Sequence, residues 1–126
     1  MSVRNLLTLN GLFALVTAVV LIFSPATLAD IFGVGAEGVA LKLIQLFGAA
    51  SVGYGFSSWL MRNAGPSEAR SAFLKSGGAG YMVVGIVAGY SVLTGFGTPI
   101  IWVGVALIFL LGAMFLYLGL RSPAAD

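Results

Sequence analysis

The 126-residue chain has no cysteine and no histidine, and carries only six basic and four acidic residues. Without cysteine there is no disulfide framework, no thiolate nucleophile and no cysteine-ligated metal. Without histidine the commonest general base and the commonest metal ligand are both missing. Charged residues make up 8% of the chain, against about 25% in an average globular protein, which is too little to clothe a water-facing surface. Disorder is excluded from the other direction, because disordered segments combine high charge with low hydrophobicity and here 60% of residues are hydrophobic. The acidic residues are Asp30, Glu37, Glu68 and Asp126. Each falls in a connection or tail, so no carboxylate pair lies within an apolar stretch for acid–base work, and no nucleophile–base constellation can be assembled. Six scattered basic residues and no groove-binding motif give no support to nucleic-acid recognition. The expectation is a non-enzymatic chain with no catalytic residues, no metal and no cofactor.

What the chain does have is long uncharged apolar sequence. Twenty-five uncharged residues separate Arg4 from Asp30, 19 separate Lys42 from Arg62, and 45 separate Lys75 from Arg121. One helical crossing of a hydrocarbon core takes about 20 residues, so the first two windows hold one helix each. The third would make a helix of about 67 Å and must fold back, at the Gly/Pro cluster Thr94-Gly95-Phe96-Gly97-Thr98-Pro99. The prediction is an all-α integral membrane protein, a single domain over 1–126. It is an up-down bundle of four spans near 5–23, 40–61, 76–94 and 99–120. The runs are continuously apolar, as in Val16 to Phe23, whereas a transmembrane β-barrel alternates. The first window also imitates a cleaved signal peptide, with Arg4 before it and Thr27-Leu28-Ala29 near its end. Its apolar run exceeds a usual h-region and carries Asn10-Gly11 near the start, so it is read as a span.

With four spans, Arg4, Arg62, Arg70, Lys75 and Arg121 fall on the side of both termini and only Lys42 falls near the other. This bias places both termini in the cytoplasm and the protein in the inner (plasma) membrane. Trp59, Tyr81 and Tyr117 near one set of helix ends, and Tyr90 and Trp102 near the other, supply the aromatic belts. In the first connection Ser24-Pro25 reads as a helix start and Gly33 as its stop. A short interfacial helix over 25–32 is one reading and an ordinary turn the other. In the second connection Pro66 is placed to open the third helix well before the membrane.

Five polar residues are candidates for a functional role. Asn10 shares a stripe with Ala14, Thr17 and Leu21, and lies at a depth similar to that of Ser57 and Tyr54 on the antiparallel second span. A side-chain amide in hydrocarbon needs partners, so a structural hydrogen bond is expected there, with ligand binding as the alternative. Lys42 and Gln45 lie one turn apart near the outer boundary. They form either an anion site at the outer mouth or a snorkelling anchor paired with Asp30 or Glu37. The 18 glycines point to close helix packing, since small residues let helix backbones approach in lipid. Gly85 and Gly89 form a GxxxG in the third span, and Ala49 and Gly53 offer a matching small face on the second. Packing of these two faces within the bundle is the expectation, with a homo-oligomer or partner-protein face as the alternative.

The opening Leu6-Leu7-Thr8-Leu9-Asn10-Gly11, the connection from Ser24-Pro25 to Phe32-Gly33-Val34, and Leu46-Phe47-Gly48-Ala49-Ala50 leading to Trp59 and Arg62 together resemble the small bacterial four-helix membrane proteins of the DoxX-like and unknown-function class. The resemblance covers the first half of the chain. It implies the four-helix fold and no particular activity. The expected function is helix–helix contact, as a small scaffold or accessory subunit of a larger membrane assembly. The alternative is a passive small-solute facilitator or channel. These differ in one feature: a facilitator needs a continuous polar lining, and an accessory subunit needs a dry interior with an exposed small-residue face.

Overall fold

The structure is a computed structural model that describes residues 1–121. Five helices follow one another, and no strand occurs among the described residues: α1 (Val3–Phe23), α2 (Pro25–Ile31), α3 (Val39–Met61), α4 (Glu68–Leu93) and α5 (Ile101–Arg121). Four of them, α1, α3, α4 and α5, are long and apolar enough to cross a membrane. Their bounds agree with the predicted spans within two residues, except that α4 begins earlier, at Glu68. This extension was anticipated from Pro66, but the helix starts two residues later. Ser67 is the N-cap, its hydroxyl accepting from the Arg70 N–H at 3.2 Å, and Pro66 lies outside the helix.

The chain divides into two compact units, Met1–Asn63 and Ala64–Asp126. The first is a helical hairpin of α1 and α3 with the short α2 in its connection. Ser2 caps α1, accepting from the Asn5 N–H. Ser24 closes α1 through its N–H to the Val20 carbonyl and Pro25 opens α2, although the Ser24 hydroxyl makes no cap bond. α2 stops in a Schellman motif. Gly33, at φ 64°, donates to Asp30, and Val34 donates to Ala29. The 25–32 helix therefore forms, one residue shorter than predicted.

α1 and α3 run antiparallel, as their contacts show in order: Leu7 with Ser58, Gly11 with Gly55 and Trp59, Leu21 with Gly48, and Ile22 with Gln45. The backbones meet most closely at Gly11 and Gly55. A Cβ placed on Gly11 would stand 3.1 Å from the Gly55 carbonyl oxygen, and one on Gly48 would stand 2.7 Å from the Leu21 Cβ.

The second unit repeats this layout with other side chains. α4 and α5 run antiparallel through Ser71 with Gly119, Gly78 with Gly112 and Leu116, Gly85 with Phe109, and Gly89 with Trp102 and Val105. Here Gly78 and Gly112 are the close pair, a Cβ on Gly78 standing 3.0 Å from the Gly112 carbonyl oxygen. Phe115 is fully buried, with Tyr81 edge-on to it at 5.7 Å between centroids. α4 also ends in a Schellman motif, with Gly95 at φ 91° donating to Val92, and Phe96 donating to Ser91. The Gly/Pro cluster then turns the chain, and i→i+3 bonds from Ile101, Trp102 and Val103 lead into α5.

Candidate functional site

The polar side chains of the first unit sit at two levels. The deeper level is built on Asn10 of α1 and Ser58 of α3, both fully buried. Asn10 Nδ2 donates to Ser58 Oγ at 3.0 Å, and Ser58 Oγ donates onward to the Leu7 carbonyl at 3.1 Å. The amide therefore has a partner on the facing helix, as its depth required. The partner is Ser58, whereas the sequence reading offered Ser57. Ser57 is exposed and donates to the Gly53 carbonyl of its own helix at 2.9 Å. The sequence did contain the means to choose between them. The contact face of α3 is marked by Gly48 and Gly55, two turns apart, and a period of 3.6 residues carried on from Gly55 reaches Ser58. Tyr54 is half-buried, one turn before Ser58.

The shallower level joins Lys42, Gln45 and the end of α1. Lys42 Nζ donates to Gln45 Oε1 at 3.1 Å, and Gln45 Nε2 donates to the Ile22 carbonyl at 2.9 Å. Gln45 thus satisfies one of the last carbonyls of α1, which have no partner within their own helix. The Lys42 ammonium is exposed and bonds to an amide rather than to Asp30 or Glu37. The geometry is that of an anchor that ties α3 to the end of α1.

Several other hydroxyls turn back on their own helices. Ser51 bonds the Phe47 carbonyl, Ser91 the Val87 carbonyl, Thr8 the Arg4 carbonyl, and Thr94 those of Tyr90 and Ser91. A hydroxyl bonded in this way can face an apolar medium without an unsatisfied donor.

The small residues divide into two sets. Gly85 and Gly89 are buried and face α5. A Cβ on Gly85 would stand 3.0 Å from the Phe109 ring, and one on Gly89 would stand 3.7 Å from Trp102 and Val105. Gly85, which the sequence reading set with Gly89 against Ala49 and Gly53, lies against the Phe109 ring. Ala49 and Gly53 are exposed, and a Cβ on Gly53 meets nothing within 4 Å. Close contacts fall as well at Gly11, Gly48, Gly55, Gly78, Gly112 and Gly119.

No three metal-ligating side chains of the His, Cys, Asp and Glu types come together among the described residues. Comparison with protein-family models, with curated proteins and with solved structures finds no match for this chain.

Proposed function

We propose that the chain is a multi-pass protein of the bacterial inner membrane, a four-helix bundle with both termini cytoplasmic. It acts without catalysis, as a small scaffold or accessory subunit that engages a larger membrane assembly through helix–helix contact. The observation that carries this reading is the face of α3 at Ala49 and Gly53. Within its own unit it is exposed and meets no neighbour, and a helix backbone from a partner can approach closely there. The disposition of the hydroxyls supports the same reading over a facilitator. Ser51, Ser57, Ser91 and Thr94 bond within their own helices, and Asn10 and Ser58 are sealed from solvent. A continuous polar lining has few side chains left to draw on.

The membrane reading itself rests on apolar surface. Only 11%, 17% and 17% of the most apolar windows of α3, α4 and α5 are buried, and water does not tolerate that much uncovered apolar helix. The test is purification from native membranes in mild detergent, comparing wild type with Gly53→Leu. Co-migrating protein is expected with the wild type and is lost from the variant, while the melting of the isolated chain stays the same. If Gly53→Leu retains every co-migrating protein, the α3 face is not the contact surface.

A further inference from the structure

Each unit gathers its arginines at one end, and Lys42 lies at the other end of the first. In the first, Arg4 lies in the opening turn of α1 and Arg62 follows the end of α3; in the second, Arg70 and Lys75 lie in the opening turns of α4 and Arg121 ends α5. The opposite end of the second unit, residues 94–100, has no charged residue. Two of the arginines are held in a particular way. The Arg62 guanidinium carbon stands 3.6 Å from the centroid of the Trp59 ring, and its Nη1 donates to the Trp59 carbonyl. The Arg121 guanidinium carbon stands 4.4 Å from the centroid of the Tyr117 ring. Both groups are therefore folded back over the aromatic residue of the preceding turn instead of extending from the helix end. Trp and Tyr favour the level of lipid head groups, so a guanidinium stacked on them is kept at that level. Among the described residues none of the five cations pairs with a carboxylate. Arg70 is only part satisfied, with Nη1 on the Ala64 carbonyl and a buried Nε that has no partner.

Arginines held beside interfacial aromatic residues and paired with no carboxylate among the described residues call for a counter-anion at head-group level. We propose that each of these ends binds anionic phospholipid, with phosphate oxygens accepting from the Arg62 guanidinium at the end of the first unit and from the Arg121 guanidinium at the end of the second. A guanidinium presents five donors in a planar fork that matches phosphate. A guanidinium held over a ring has less side-chain freedom left for binding to remove. Electrostatic attraction to an anionic leaflet amounts to about fivefold in binding for each such residue near the surface. The proposal rests on the membrane reading above.

The test is native mass spectrometry of the full chain in a non-ionic detergent, titrated with phosphatidylglycerol or with phosphatidylcholine of the same acyl chains. The wild type is expected to bind phosphatidylglycerol several-fold more tightly, with the preference shrinking as ammonium acetate is raised. Arg62→Gln with Arg121→Gln should abolish most of the preference, while Lys42→Gln, at the other end of the first unit, should leave it unchanged. Equal binding of the two lipids by the wild type overturns the proposal, and this arm needs no variant to fold. Full retention of the preference by the double variant overturns it as well. Alkaline carbonate extraction of the wild type is read alongside. A chain released from membranes by carbonate defeats the membrane reading itself, whereas a chain that stays in the membrane and shows no lipid preference defeats only the lipid proposal.

Discussion

Gly78→Ala adds one methyl group at the place where α4 and α5 come closest. That carbon would stand 2.7 Å from Leu116 Cγ, 2.9 Å from the Leu116 backbone nitrogen and 3.0 Å from the Gly112 carbonyl oxygen. The leucine side chain can swing aside, but the other two atoms belong to the α5 backbone, so the helix itself must retreat. Reaching ordinary contact near 3.4 Å needs a retreat of about 0.4–0.5 Å in a close-packed seam. The Ser71 hydroxyl to the Gly119 carbonyl, now 3.1 Å, lies about two turns along the same seam. The same retreat would lengthen it to roughly 3.6 Å, beyond hydrogen-bonding range. Overpacking of this kind costs about 1–3 kcal/mol, and an interhelical hydrogen bond in a membrane protein adds about 0.6 kcal/mol. Against this, alanine is the better helix former by up to about 1 kcal/mol. Gly80→Ala separates these terms. It lies two residues further along the same helix, and a Cβ there meets nothing within 4 Å, so only the helix-propensity term applies. Unfolding in mixed detergent micelles with rising dodecyl sulfate, followed by tryptophan fluorescence, should place Gly78→Ala about 2–3 kcal/mol below Gly80→Ala. If the two variants unfold together, backbone contact at the glycine pair is not what holds this hairpin.

Two further outcomes are expected. Ser58→Ala should cost about 0.6–1.7 kcal/mol, and adding Asn10→Leu to it should cost less than the sum of the single changes, because the two side chains form one hydrogen-bonded unit; additive losses in the same unfolding assay would mean that the pair is not coupled. Cysteine introduced at Ser2 should resist a membrane-impermeant thiol reagent in intact cells, while one at Thr98 should label, and labelling at Ser2 would reverse the proposed orientation.

Helix positions were legible in the sequence because two strong rules agreed. Charged residues delimit what hydrocarbon accepts, and Gly or Pro marks the ends, so Gly33 and Gly95 terminate α2 and α4 as turn chemistry requires. Which face of each helix meets its neighbour was much less legible. In soluble helices an apolar stripe identifies the buried side, but here both sides are apolar, and the distinction lies between small and large residues. Glycines are so frequent that Ala49 and Gly53 read as the packing face of α3, whereas Gly48 and Gly55 mark its seam with α1. Reading depth without face gave Ser57 where Ser58 makes the bond. The stacking of Arg62 and Arg121 on aromatic neighbours also escaped notice, since the basic residues were counted for topology and not placed against the rings one turn before them.

The bond between Asn10 and Ser58 has a consequence for how the chain is made. Its two ends are 48 residues apart in sequence. At a synthesis rate of about 5–20 residues per second, α1 emerges some 2–10 seconds before the residue that answers its amide. On the proposed membrane reading, the two amide donors of Asn10 must during that interval be met by water at the membrane boundary, by the insertion machinery or by another helix, because a carboxamide cannot satisfy both by turning back on its own backbone. The second hairpin imposes no such wait. Ser71, which bonds Gly119 across its own 48-residue separation, carries a hydroxyl that can bond a carbonyl of its own helix until α5 arrives. Conditions that delay or starve translation between α1 and α3 should therefore leave nascent chains stalled with α1 not fully inserted, while a pause of the same length between α4 and α5 should do little harm.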